Sequence, residues 1–136
     1  MTDVTQEVES WVEGILSPVP VAVGEFSTIV EVSAQIQPAP TQAVVRRYLA
    51  GGGVYQYGWE LYLRCHPSDE RGRIDAMGEL AKVADAIDRR GYPEAPDGVT
   101  WYAHEVTARP NKFSTNEDGT EDYQMIAVLT YIERSQ

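Results

Sequence analysis

Val44-Val45-Arg46-Arg47-Tyr48-Leu49, Ala50-Gly51-Gly52-Gly53 and Tyr55-Gln56-Tyr57-Gly58-Trp59-Glu60-Leu61-Tyr62-Leu63-Arg64-Cys65 together decide the fold. The first arm is rich in β-branched and aromatic residues, which favour strands. The glycines interrupt it. In the second arm Tyr55, Tyr57, Trp59, Leu61, Leu63 and Cys65 fall on one face, and Gln56, Glu60, Tyr62 and Arg64 on the other. A period of two means a strand with one face in a core. Two such arms around glycines predict a β-hairpin with a flexible tip. A phosphate-binding loop would need Gly-Lys-Ser/Thr entering a helix, whereas Val54 and Tyr55 follow here.

Upstream, Val4, Val8, Trp11, Val12, Ile15 and Leu16 repeat with helical spacing. Thr2 or Asp3 can cap that helix, and Ser17-Pro18-Val19-Pro20 ends it. Val21–Phe26 reads as a short strand. Ile29–Ile36 reads as another, with Pro38 and Pro40 breaking the pattern. Downstream, His66-Pro67-Ser68-Asp69 is a capping turn. A long helix is predicted from Glu70 to Arg90, with Ile74, Met77, Leu80, Ala81, Ala84 and Ile87 inward and Gly91 just past its end. Tyr92–Gly98 is a loop. Val99–Ala108 is a strand ended by Pro110, Asn116–Gly119 is a hairpin turn, and Tyr123–Ile132 is a strand apolar on both faces and therefore central. The helices do not alternate with the strands. The expected fold is α+β: a mainly antiparallel sheet with a β-hairpin arm and two helices packed on it, as one domain over residues 1–136.

The chain has 136 residues, enough for one core, since about two-thirds of the extended surface is buried at this size. Eleven basic residues against 21 acidic ones give a net charge of −10. That argues against a general nucleic-acid binder and against docking on anionic membranes, both of which start from Lys and Arg. A single cysteine, Cys65, excludes an internal disulfide and multi-cysteine zinc sites. The first residues have no basic and apolar leader, and no stretch is long and apolar enough to span a bilayer, so a soluble, intracellular protein is expected.

The residues offer three candidate chemistries. Cys65, His66 and His104 could form a metal site, but they lack any recognised ligand spacing. Cys65 with His104 could act as nucleophile and base, but Cys65 stands in an apolar row, as inert buried cysteines do. The segment from Asn116 to Asp122 has the composition of a calcium loop without its ligand order, because Ala127 stands where the twelfth-position glutamate belongs. No catalytic residue, metal or cofactor is expected. The competing reading is a small-molecule-binding or enzymatic domain with a pocket around Trp59, Trp101 and His104, joined by Cys65.

The phrases Arg47-Tyr48-Leu49-Ala50-Gly51-Gly52 and Asp118-Gly119-Thr120-Glu121-Asp122-Tyr123, in this order of elements, resemble the bacteriophage minor capsid proteins related to tail terminators. The resemblance runs from about Thr2 to Glu133. It implies a virion-assembly protein of the head–tail junction without enzymatic activity, which forms a homo-oligomeric, commonly hexameric ring. Its expected partners are the tail-tube protein and head-completion proteins, in the host cytoplasm during assembly and then in the virion. DNA would pass through without specific binding.

On that reading the hairpin residues Arg46, Arg47, Tyr48, Tyr55 and Tyr57 are the expected oligomer interface, because the hairpin arm is expected to be exposed and tyrosine is favoured at interfaces. Glu117, Asp118, Glu121 and Asp122 are the expected lining of an acidic lumen that repels the phosphate backbone.

Overall fold

β4 (Gly52–Cys65) is the spine of the molecule. Its predicted alternation is realised: Tyr55, Tyr57, Trp59, Leu61, Leu63 and Cys65 are buried, and Val54, Gln56, Glu60, Tyr62 and Arg64 are half-buried on the opposite face. In this computed structural model, which describes residues 1–26, 32–41, 43–67 and 69–134, β4 pairs antiparallel over its full length with β6 (Glu121–Arg134). The pairs run from Gly52↔Arg134 to Cys65↔Glu121. β5 (Val99–Thr115) pairs antiparallel with the other edge of β6, so β6 is central, as its two-sided apolar pattern predicts. Two strands share the free edge of β4: β2 (Ser33–Ala39) beside Gly58–Arg64, and β3 (Val44–Arg47) beside Gly53–Tyr55. β1 (Val21–Val23) joins β2 in parallel. The six strands lie in the order β1-β2-β4-β6-β5, with β3 attached to β4.

Both helices lie on one face of this sheet. α1 (Thr5–Leu16) buries Val8, Val12 and Leu16, and α2 (Glu70–Asp88) buries Ala76, Leu80, Val83, Ala84 and Ile87. These stripes close over the inward residues of β4 and over Tyr123, Met125, Ala127, Leu129 and Tyr131 of β6 to form one core. Each fully buried leucine or isoleucine of that core contributes about 1.5–3 kcal/mol. The fold is therefore α+β with a mainly antiparallel sheet, as expected.

Several boundaries differ from expectation, each for a local reason. Val4 occupies the N-cap of α1, but Asp3 holds the first turn by accepting from the Thr5 N–H (3.0 Å) and the Thr5 hydroxyl (2.7 Å). β1 stops at Val23 rather than Phe26. β2 continues through Pro38. The N–H of Ala34 and the carbonyl of Ile36 face β1, so Pro38, two residues on, turns its missing N–H to the open edge where no ladder bond is lost. Pro110 likewise sits in the edge strand β5 at a register shift between Ala108 and Asn111, so it does not end the strand. Ile74 is exposed, and the inward stripe of α2 runs through Ala76 and Val83 instead. Ile29, Val30 and Ser68 lie outside the described residues.

The end of α2 carries a further difference. Arg90, not Gly91, adopts the left-handed conformation, with φ 63°. Its N–H bonds the Ile87 carbonyl and the Gly91 N–H bonds the Ala86 carbonyl, which is the paired closure of a Schellman motif. Gly91 is needed for space: a Cβ there would lie 2.6 Å from the Ala86 oxygen.

Candidate functional site

The hairpin tip is set by backbone. Tyr48 N–H donates to the Gly52 carbonyl and Gly51 N–H to the Tyr48 carbonyl, both at 3.1 Å. Gly51 and Gly52 take φ of 94° and 76°, which a side chain would resist. A Cβ on Gly53 would fall 2.2 Å from the Arg46 oxygen. The glycines therefore close a tight, backbone-bonded turn. That turn holds Arg46, Arg47, Tyr48 and Leu49 out in solvent, with the Arg46 guanidinium 5.7 Å from the Tyr48 ring centre.

Tyr55 and Tyr57 do not share that exposure; they are 7% and 8% exposed. Tyr57 Oη lies 2.8 Å from Thr5 Oγ1 on α1, and the Tyr55 ring packs 5.7 Å from Tyr131. The reading of both as exposed interface anchors is corrected: they face the helices because they share the parity of Trp59 and Leu61.

The four carboxylates near the second hairpin turn also divide. Glu117 and Asp118 are exposed at the turn. Asp118 accepts from the Thr120 N–H and hydroxyl, which lowers its pKa. Glu121 and Asp122 are 4% and 6% exposed and are paired on opposite faces of β6. Glu121 accepts from Arg73, Tyr123 and Lys112, and the Arg73 bond first of all holds its carboxyl down to about 2. Asp122 takes both arms of Arg64, at 2.7 and 2.9 Å, and Arg64 stacks 4.2 Å from the Phe26 ring centre. Of the four carboxylates expected to be exposed together, only Glu117 and Asp118 are; Glu121 and Asp122 are buried in ion pairs within the chain. Sequence reasoning missed these pairs. Their only signal is the register that puts Arg64 opposite Asp122 and Cys65 opposite Glu121.

The residues of the competing pocket fill the core. Trp59 Nε1 donates to His104 Nε2 at 3.2 Å. An indole nitrogen can only donate, so Nε2 is the bare nitrogen and the ring proton sits on Nδ1, which donates to the Gly91 carbonyl at 3.1 Å. Trp11 and Tyr92 pack on the same ring, at 5.3 and 6.0 Å between centres. Burial pushes the pKa of His104 down to about 4. This is a neutral, satisfied core histidine. Trp101 donates to the Pro93 carbonyl at 2.7 Å and packs edge-on against Tyr131. Burial, then the charges of Glu121 and Asp122, push the Cys65 thiol up, which disfavours the nucleophilic thiolate. Cys65 and His104 are not neighbours. His104 pairs with Leu129, and Leu129 with Tyr57, eight residues along β4 from Cys65, or about 26 Å at 3.3 Å per residue.

The sheet face away from the helices is the remaining large surface. Val54, Tyr62, Ile126, Val128 and Ile132 are half-buried there. The Tyr62 and exposed Phe113 rings meet edge-on at 5.2 Å. Tyr62 donates to Glu60 at 2.7 Å, and burial together with that carboxylate raises its pKa to about 12. No helix among the described residues covers this face.

No known protein family matches the chain, and no curated protein does. Solved structures do. A chain of the virion of a native gene transfer agent particle superposes with a TM-score of 0.58, over 96% of this chain and 92% of its own, at 11% identity. A second solved structure, 17% identical, aligns over 96% of this chain and 90% of its own at a TM-score of 0.49. This chain and the virion chain share a fold along almost their whole lengths.

Proposed function

We propose that this chain is a structural virion-assembly protein of a tailed bacteriophage, prophage or related particle. Its role is that of a ring-forming tail terminator or minor capsid protein at the head–tail junction. The observation that carries this is the fold it shares, end to end, with a chain of a gene transfer agent virion. Two features of its own surface support it: a tight turn that holds Tyr48 and Leu49 out in solvent, and a sheet face with half-buried apolar residues and, among the described residues, no helix over it. Its chemistry is interface burial rather than catalysis.

On this reading Arg46, Arg47 and Tyr48 belong to a contact between copies, and the sheet face to a contact with a copy or a neighbouring component. A closed ring needs such unlike surfaces meeting head to tail. The tail-tube protein and head-completion proteins are the other partners. Glu117 and Asp118 face the DNA path, where negative charge keeps the phosphate backbone sliding rather than bound. The place of work is the virion, reached by assembly in the host cytoplasm.

The test is co-sedimentation with purified tail tubes, followed by negative-stain imaging. Density capping tube ends is expected. Free protein that leaves the tubes bare at all ratios would contradict the junction role.

A further inference from the structure

The hairpin tip is a basic island on an acidic molecule. From Val32 to Trp59 the sequence holds no acidic residue, and its only charges are Arg46 and Arg47. Both are exposed, and between them and the turn stand Tyr48, 40% exposed, and Leu49, fully exposed. An isolated apolar residue on a surface is ordinary. One presented on a fixed turn, beside two arginines and a tyrosine, has the make-up of a plug.

A matching socket lies at the opposite end of β4. A cleft of about 350 Å³ opens between α2 and the Cys65 end of the sheet. Val19, Leu63, Cys65 and Ala76 give it an apolar floor, and Asp75 and Glu79, one helical turn apart, stand at its rim. Glu79 takes an exposed ion pair from Lys82 at 2.9 Å, a contact weak enough to exchange. From Gly52 to Leu63 is eleven residues of strand, about 36 Å, so the tip cannot reach the socket of its own chain.

We infer that the tip of one copy docks in the cleft of the next, with Leu49 on the apolar floor and Arg46 and Arg47 against Asp75 and Glu79. The inference rests on the assembly reading above and names its contact: a head-to-tail joint between two different surfaces, which closes into a ring when the rotation per step allows. The turn is already shaped by its glycines and backbone bonds, so little ordering opposes docking. Opposite charge fixes which end of the neighbour is met.

Charge reversal tests it. One variant carries Arg46→Glu and Arg47→Glu, the other Asp75→Arg and Glu79→Arg. All four residues except half-buried Glu79 are exposed, and circular dichroism checks that both variants fold. In sedimentation velocity each variant alone should self-associate at least tenfold more weakly than the unmodified chain. An equimolar mixture should recover, because each variant's altered surface then meets its altered complement. Leu49→Asp should weaken association alone and stay weak in every mixture with the tip-reversed variant. If either charge variant associates like the unmodified chain, or the mixture fails to recover, the docking is wrong while the assembly reading stands. If the unmodified chain is monomeric at every concentration, both fall.

Discussion

The two faces of the sheet are written in the same alternation and come to opposite ends. Along β4 and β6, odd positions from Tyr55 to Cys65 and from Tyr123 to Tyr131 go under the helices and are nearly dry. Even positions mix polar residues such as Gln56, Glu60 and Gln124 with apolar ones such as Tyr62, Ile126 and Val128, and these stay half-exposed. The covered face is closed business: its polar atoms, His104 above all, have partners within the core. The open face pairs Arg64 with Asp122 across strands and leaves Tyr62, Ile126 and Val128 partly in solvent. The difference separates the residues that hold the chain folded from those that the fold leaves at its surface.

The largest effect should come from setting one face against the other. Trp59→Ala removes a fully buried ring from the covered face and should cost about 3–5 kcal/mol. Ile126→Ala on the open face should cost under about 1.5 kcal/mol in the isolated chain. Chemical denaturation of both reads the contrast, and equal losses would mean the open face is also core.

Acid should separate the faces next. An unfolded histidine takes its proton near pH 6.5, and His104 in the fold only near 4. Between these values the unfolded chain binds more protons. Stability is therefore whole above pH 6.5 and drains as pH falls toward 4, by about 3 kcal/mol. Glu121, held near 2 against an ordinary 4.5, adds a loss only at lower pH. Denaturation midpoints from pH 7.5 to 4.5 should show the slope, and His104→Gln, whatever its absolute stability, should flatten it.

On the open face, Asp122→Ala frees a part-exposed Arg64 and should cost about 1–2 kcal/mol, less in high salt. A loss insensitive to salt would show that packing against Phe26, not charge, holds this corner. The smallest effect concerns the helix that closes the covered face. Arg90→Gly relieves a left-handed arginine and should raise stability by about 0.5–1 kcal/mol, read as a higher Tm.

Most of this architecture was legible where a periodic pattern ran long enough to fix a face. β4, β6, α1 and α2 were readable from alternation or helical spacing alone. Pro38 and Pro110 misled because a proline's cost depends on whether its missing N–H faces a partner strand or an open edge, which only pairing decides. Tyr55 and Tyr57 stand in the buried row of β4, so their parity, not their tyrosine chemistry, sets where they point. Glu121 and Asp122 looked like part of one acidic run. Adjacent residues in a strand point to opposite faces, so each met its own arginine. The tip-and-cleft match was invisible in sequence, because Asp75 and Leu63 become neighbours only when α2 folds back on the sheet.

The central claim is that this chain assembles with copies of itself, and its mass in solution tests that most directly. Light scattering coupled to size-exclusion chromatography, across a hundredfold range of concentration, should report an assembly of several copies, seen as rings in negative stain. A mass of 15.1 kDa at every concentration would contradict it.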